Sequence, residues 1–248
     1  MSEAMTIQEQ CKLTLPRFEK TAGKVPWCPR SILKSEGLAV CAMADLHGID
    51  LLIESGVCNG RSTEMWCRYF GDNNDIDIFA VDWDVKPEAI HRLRPFWSLH
   101  RGGGPRPRIT EGDAAILVPE LIRNASGRRI GVVIDGPKDD AAVKLAEQCM
   151  AYDNVRFVGV HDMAMMQNGT PHVSRMDFEV PVSGMTEWFT DAPWFVELSH
   201  HLDADESNLD AEQGTRWTPY CRHEIGKPPM PLGSYGYTIG FLSKETQG

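Results

Sequence analysis

Acidic residues recur in this chain at the ends of short apolar runs. Glu54 follows Leu51-Leu52-Ile53, Asp82 and Asp84 follow the run from Ile76 to Val81, Asp113 follows a weaker run from Arg108 to Glu111, and Asp135 follows Ile130 to Ile134. A carboxylate in that position either accepts hydrogen bonds from sugar hydroxyls at the edge of a sheet or caps the next helix. The most informative stretch is IESGVCNGRSTEMW, where Glu54 leads through Gly56, Val57, Asn59 and Gly60 into a helix expected near Ser62. Glycines there let the backbone approach a ligand closely, and a helix N-terminus offers free N–H groups to an anion. The G-x-x-x-G spacing matches neither the G-x-G-x-x-G dinucleotide fingerprint nor a G-x-x-x-x-G-K-[ST] phosphate loop, which disfavours a nicotinamide-dependent oxidoreductase. A plain structural turn explains the spacing equally well.

The elements that must hold these residues follow from the hydrophobic period. Leu51 to Ile53, Ile76 to Val81, Ile130 to Ile134 and Val155 to Val160 are short, apolar and rich in β-branched residues, as strands buried on both faces are, with Arg108 to Glu111 a weaker strand candidate. Between them Met65, Trp66, Tyr69 and Phe70 share one helical face, as do Val143, Ala146, Cys149 and Met150 after Asp139 and Asp140. Strands alternating with helices predict a parallel sheet, hence an α/β fold. Residues 1–30, with Pro16, Pro26 and Pro29, read as an irregular N-terminal arm, and residues 31–248 as a single domain. Ser31 is expected to cap a helix carrying Leu38, Cys41, Ala42 and Leu46. Past residue 162 the expectation is a loop, a helix near Val182 to Phe189, and two late strands, around Trp194 to Leu198 and within Tyr237 to Leu242.

Composition narrows the partners. With 248 residues, 25 Lys+Arg against 35 Asp+Glu and a net charge of -10, the chain repels nucleic acid and anionic membrane at long range, so a small molecule is the expected partner. The seven cysteines are scattered without a C-x-x-C pair, the N-terminus lacks a signal peptide's pattern, and no run is long enough to span a membrane. A cytoplasmic setting is the expectation.

These motifs resemble class I S-adenosylmethionine-dependent methyltransferases over about residues 31–245: IESGVCNGRS is similar to their first motif, AVDWD to the acidic end of the second strand, TEGDA to the adenine-contacting segment and VVIDGPK to the fourth strand. The resemblance implies a three-layer α/β/α Rossmann-like methyltransferase fold, a mostly parallel sheet finished by an antiparallel C-terminal strand. It implies a cofactor site made of Glu54, Gly56, Val57, Asn59, Gly60, Asp82, Trp83, Asp113, Ala114 and Asp135, with Glu54 and the glycines around the methionine half, Asp82 at the ribose, and Asp113 with Ala114 at the adenine. Within that superfamily ESGVCNGRS is similar to the small-molecule O-methyltransferases of macrolide tailoring and the cephalosporin-hydroxylase-like group. The Asp135-x-x-Lys138 pattern resembles the metal-dependent catechol type, although the fifth strand ends in His161-Asp162 where that type has Asp-Asn.

The reaction so implied is methyl transfer to a small hydroxylated acceptor, whose proton is the obstacle. Two devices are available. Asp135 and Asp162, at the ends of adjacent strands, would hold a divalent cation such as Mg2+, or His161 or Lys138 would act as the base. Strand alternation puts His161 on the side of its strand opposite the two acids. The bland alternative makes Asp135 a helix cap, Lys138 a surface partner of Asp139 or Asp140, and His161 an interior histidine. A catalytically silent S-adenosylmethionine-binding partner subunit also fits the motifs, and oligomeric state stays open, a homodimer included. Arg101, Arg106 and Arg108 offer a weaker anion clamp, and Met163 to Met176 a lining for an acceptor pocket.

Overall fold

The computed structural model describes residues 5–28, 31–71, 76–98, 107–137, 139–167, 170–175, 185–190, 192–203 and 239–244. At its centre strand β1 (Leu51–Ser55) runs parallel to both β2 (Asp77–Asp82) and β4 (Ile130–Ile134); β3 (Pro107–Glu111) extends the sheet beyond β2, and β5 (Val155–Val160) beyond β4. Two later strands complete it, β8 (Met185–Phe189) and β9 (Gly240–Lys244), β9 pairing antiparallel with both β5 and β8. The order β3-β2-β1-β4-β5-β9-β8 is the expected mostly parallel, Rossmann-like sheet with an antiparallel C-terminal strand, covered by helices on both faces. A separate hairpin pairs β6 (Ala164–Gln167) with β7 (Thr170–Arg175).

Alternating side chains send one set of residues to each face of this sheet. Leu52, Ile78, Val133 and Phe157 meet α1 (Ile7–Lys20), α2 (Lys34–His47) and α3 (Arg61–Tyr69) on one side. On the other side Leu51, Ile53, Val132 and Ile134 meet α5 (Ala114–Asn124) and α6 (Asp139–Met150). Helix α4 (Pro87–Ser98) packs beside α3. Helix α2 is buried along its length from Ser35 to Ala44, as a helix caught between α1 and the sheet must be, and is correspondingly apolar around most of its circumference. Among the described residues no helix is long and apolar enough to cross a membrane.

Four expectations are corrected. The stretch read as an irregular arm contains α1, because Thr6 and Glu9 form a reciprocal cap (Thr6 N–H to Glu9 Oε2 2.8 Å, Glu9 N–H to Thr6 Oγ1 3.3 Å) and Pro16 is carried inside the helix. Ser31 does not cap α2; its hydroxyl donates to the Cys28 carbonyl, and Glu36 instead accepts the Leu33 N–H at 2.7 Å. The late helix and strand are exchanged: residues 185–189 are strand β8, and Pro193–Ser199 is helix α7. Proline is favoured in the first turn of a helix, and that signal outweighs the aromatic and β-branched content of Trp194 to Leu198.

Gly131 marks how tightly the sheet is packed. A Cβ there would lie 2.4 Å from the Phe157 ring and 3.1 Å from Ile49 Cδ1, and that ring is itself packed between His47 and Phe241. Gly131→Ala should therefore destabilise the fold by about 1–3 kcal/mol through overpacking, read as a lower midpoint in urea unfolding with little change in slope.

Candidate active site

The chain leaves β1 toward α3 on one face and leaves β4 toward α6 on the other, so a crevice opens between the ends of these neighbouring strands, where open α/β sheets bind ligands. A cleft of about 290 Å³ lies there, lined by Ser55, Gly56, Val81, Asp82, Trp83, Gly112, Asp113, Ala114, Gly136 and Pro137. Gly56 has φ +90°, and a Cβ on it would come within 2.7 Å of Gly136 N and 2.8 Å of the Asp135 carbonyl carbon. Only glycine lets the two loops touch. Gly60, at φ +75°, ends the turn as the residue before α3, with Ala89 Cα 3.1 Å from where its Cβ would be.

Asp82 organises this loop. Its Oδ2 accepts the N–H groups of Val57 (2.6 Å) and Cys58 (2.8 Å), and its Oδ1 accepts the Asp84 N–H at 2.9 Å. Three of roughly four lone-pair directions are thereby used. Asp113 caps α5 by accepting the Ala115 N–H at 2.9 Å while also lining the cleft. Trp83, 74% exposed, stands on the rim.

At the β4 and β5 ends the structure brings together Asp135, His161 and Asp162. His161 Nδ1 lies 2.7 Å from Asp135 Oδ1 and 3.3 Å from Asp162 Oδ1, and His161 Nε2 lies 3.2 Å from Glu36 Oε2. His161 is therefore on the same side as the acids, not opposite them. It lies one residue beyond the end of β5, and Asp162 takes a left-handed φ of +62°, so strand alternation no longer governs the pair. Burial by itself would lower the histidine's pKa, but the charges of Asp162, Asp135 and Glu36 outweigh it and raise the pKa well above its ordinary value.

Glu54 stands apart from the cleft lining. It is buried against α3, where its carboxyl accepts from the Thr63 hydroxyl. Arg61, fully buried, reaches back with Nε 3.1 Å from the Pro26 carbonyl and its guanidinium 5.0 Å from the Trp27 ring centre, tying the N-terminal segment to the start of α3. Sequence reasoning missed Arg61, Glu36 and Ser55. Arg61 directly after Gly60 was a visible signal, whereas nothing local marks Glu36 as a partner of His161. Lys138, Arg101, Arg106 and Met176 lie outside the described residues, and Arg108 is placed over the Phe79 ring at 4.9 Å.

No protein-family model matches the chain, and no curated protein matches it. Among solved structures it is similar to the S-adenosylhomocysteine-bound methyltransferase PaMTH1 of Podospora anserina, with 14% identity, 99% of this chain and 89% of that one covered, and a TM-score of 0.44. A Staphylococcus aureus protein assigned as a caffeoyl-CoA O-methyltransferase gives 12% identity, coverage of 95% and 92%, and a TM-score of 0.48. Coclaurine N-methyltransferase, bound to N-methylheliamine and S-adenosylhomocysteine, gives 10% identity, coverage of 89% and 74%, and a TM-score of 0.39. These are distant likenesses of chain course.

The buried Glu54 makes stability depend on pH. Burial pushes its pKa from 4.5 up to about 7, with the Asp135 charge adding to the rise and the Ser62 and Thr63 hydrogen bonds opposing it. Between 4.5 and 7 the folded chain keeps a proton that the unfolded chain has released, so this group's contribution falls as pH rises through that window and is flat above it. The slope is about 1.4 kcal/mol per pH unit. Glu54→Gln should remove this component: relative to wild type, the variant's melting temperature should rise between pH 5 and pH 7.5. Parallel melting curves for the two proteins would show Glu54 ionised throughout.

Proposed function

We propose that the protein transfers a methyl group from S-adenosylmethionine to a hydroxyl of a small acceptor. The observation that carries this reading is the continuity of the site: the glycine loop, Asp82 and Asp113 border one cleft, and Asp135 leads from that cleft into the cluster with His161 and Asp162. The Gly56 to Gly60 turn and the α3 N-terminus face the methionine half, and Asp113 with Ala114 bounds the adenine. Asp82, with three acceptor positions engaged by the protein, accepts from one ribose hydroxyl rather than from two. Trp83 on the rim covers the nucleoside.

The cofactor supplies an electrophilic methyl on a sulfonium, so the protein's work is to hold the acceptor oxygen in line with it and to handle the hydroxyl proton. The donor set at the β4 and β5 ends fits a divalent cation: Asp135 and Asp162 offer carboxylate oxygens within 4.8 Å of each other beside the cleft. A cation there would lower the pKa of a bound hydroxyl. Both ring nitrogens of His161 face carboxylates, which speaks against it as the proton acceptor.

Two measurements test this reading. S-adenosylhomocysteine should raise the melting temperature and NAD should not, and methyl transfer to a panel of catechols and polyhydroxylated acceptors should be lost in EDTA and restored by added cation. Stabilisation by NAD alone would make the chain a nicotinamide protein; stabilisation by S-adenosylhomocysteine without transfer to any acceptor would make it a silent binder. Asp82→Ala should weaken S-adenosylhomocysteine by about 1.5–3 kcal/mol, roughly tenfold to a hundredfold, and also lower stability because the Val57 and Cys58 amides lose their acceptor.

A further inference from the structure

In the function just proposed, Asp135 and Asp162 hold the cation and His161 has no task. We propose that His161 is the third protein ligand of that cation, and that its imidazole makes the site select a first-row transition ion over magnesium. The inference rests on the methyltransferase reading for the reaction but not for the ligand set.

The three donors converge from two adjacent strand ends. His161 Nδ1 faces Asp135 Oδ1 at 2.7 Å and Asp162 Oδ1 at 3.3 Å, and the ligand atoms of all three residues lie within 4.8 Å of one another. Ligands at about 2.1 Å from an octahedral ion, at right angles to each other, are about 3.0 Å apart, and the two nitrogen–oxygen separations bracket that value. The far side of the ring is equally informative. A metal-ligating histidine donates its other N–H to a carboxylate or carbonyl, which fixes the tautomer and aims the ring. Nε2 faces such a partner here at 3.2 Å, the carboxyl of Glu36, which is fully buried, comes from α2, and is held in place by the Leu33 N–H.

Chemistry then separates the candidate ions. Magnesium prefers carboxylate, carbonyl and water oxygens, whereas imidazole suits zinc, nickel, iron and copper. Two aspartates alone would leave magnesium competitive. Adding the imidazole tips the site toward the softer ions, while three protein donors leave about three positions of an octahedral ion for water and acceptor oxygens. Glu36 is a positioning residue in this scheme, acting on the ion only through His161.

The test is calorimetric titration of the metal-free full chain with cobalt chloride and, separately, magnesium chloride, with S-adenosylhomocysteine binding measured in parallel. One cobalt per chain should bind about tenfold or more tighter than magnesium and give visible absorption bands from the bound ion. His161→Asn should cut cobalt affinity by about 10- to 100-fold, change magnesium affinity little, and shift those bands. Glu36→Gln, with every ligand intact, should weaken cobalt by a similar factor, and Asp135→Asn should weaken both ions. Magnesium binding as tight as cobalt to wild type, an unchanged preference in His161→Asn, cobalt binding indifferent to Asp135→Asn, or no cation binding to a chain with native circular dichroism would each overturn the inference. The wild-type comparison needs no variant to fold. S-adenosylhomocysteine binding to a chain that binds no cobalt would sink this inference alone, and cobalt binding with no S-adenosylhomocysteine binding would sink the methyltransferase reading and leave the ligand set.

Discussion

Strand β1 is paired on both sides, to β2 along one edge and to β4 along the other, and the registers finish level: Ser55 lies opposite Val81 and opposite Ile134. The pairing continues one step beyond the strands. Gly56 N–H reaches the Val81 carbonyl at 2.8 Å, and Asp135 N–H reaches the Ser55 carbonyl at 2.7 Å. Because three parallel strands end at one height, the glycine turn, Asp82 and Asp135 emerge side by side, although the chain between them wanders through three helices and another strand. The requirement for glycine at 56 follows from the same constraint: a side chain there would force the β1 and β4 loops apart.

Carboxylates at that edge have divided their labour. Asp82 spends most of its hydrogen-bonding capacity on the loop that would hold a ligand, which is preorganisation: the turn is set by protein contacts before anything binds. Asp113 likewise caps α5 while bordering the cleft. Glu54 is withdrawn into the α3 packing and carries the cost of burial as a raised pKa. Asp135 and Asp162, by contrast, turn toward His161, where the negative field is strong enough to overcome the histidine's desolvation. Similar residues thus take up different partners in different surroundings.

Much of this was legible because the signals are local. Runs such as Ile130 to Ile134 and Val155 to Val160, bounded by polar or glycine residues, gave the five parallel strands nearly residue for residue, and IESGVCNGRS gave the turn and the start of α3. What stayed hidden depends on contacts between distant positions. Glu36 meets His161 across 125 residues, and Asp203 accepts the Ser35 N–H across 168. No period or motif announces either. The side on which His161 faces was misjudged because alternation holds only inside a strand, and Asp162 at φ +62° breaks it immediately afterwards. Helix α1 was overlooked because three prolines drew the reading away from the Thr6–Glu9 cap.

A crystal structure of the full chain with S-adenosylhomocysteine tests the placement of the site most directly. The account predicts the homocysteine half against the Gly56 to Gly60 turn, a single ribose hydroxyl on Asp82, the adenine beside Asp113 and Ala114, and the sulfur directed toward the Asp135–Asp162 edge. A ligand seated elsewhere on the chain, or a cleft that stays empty at saturating ligand, would contradict it.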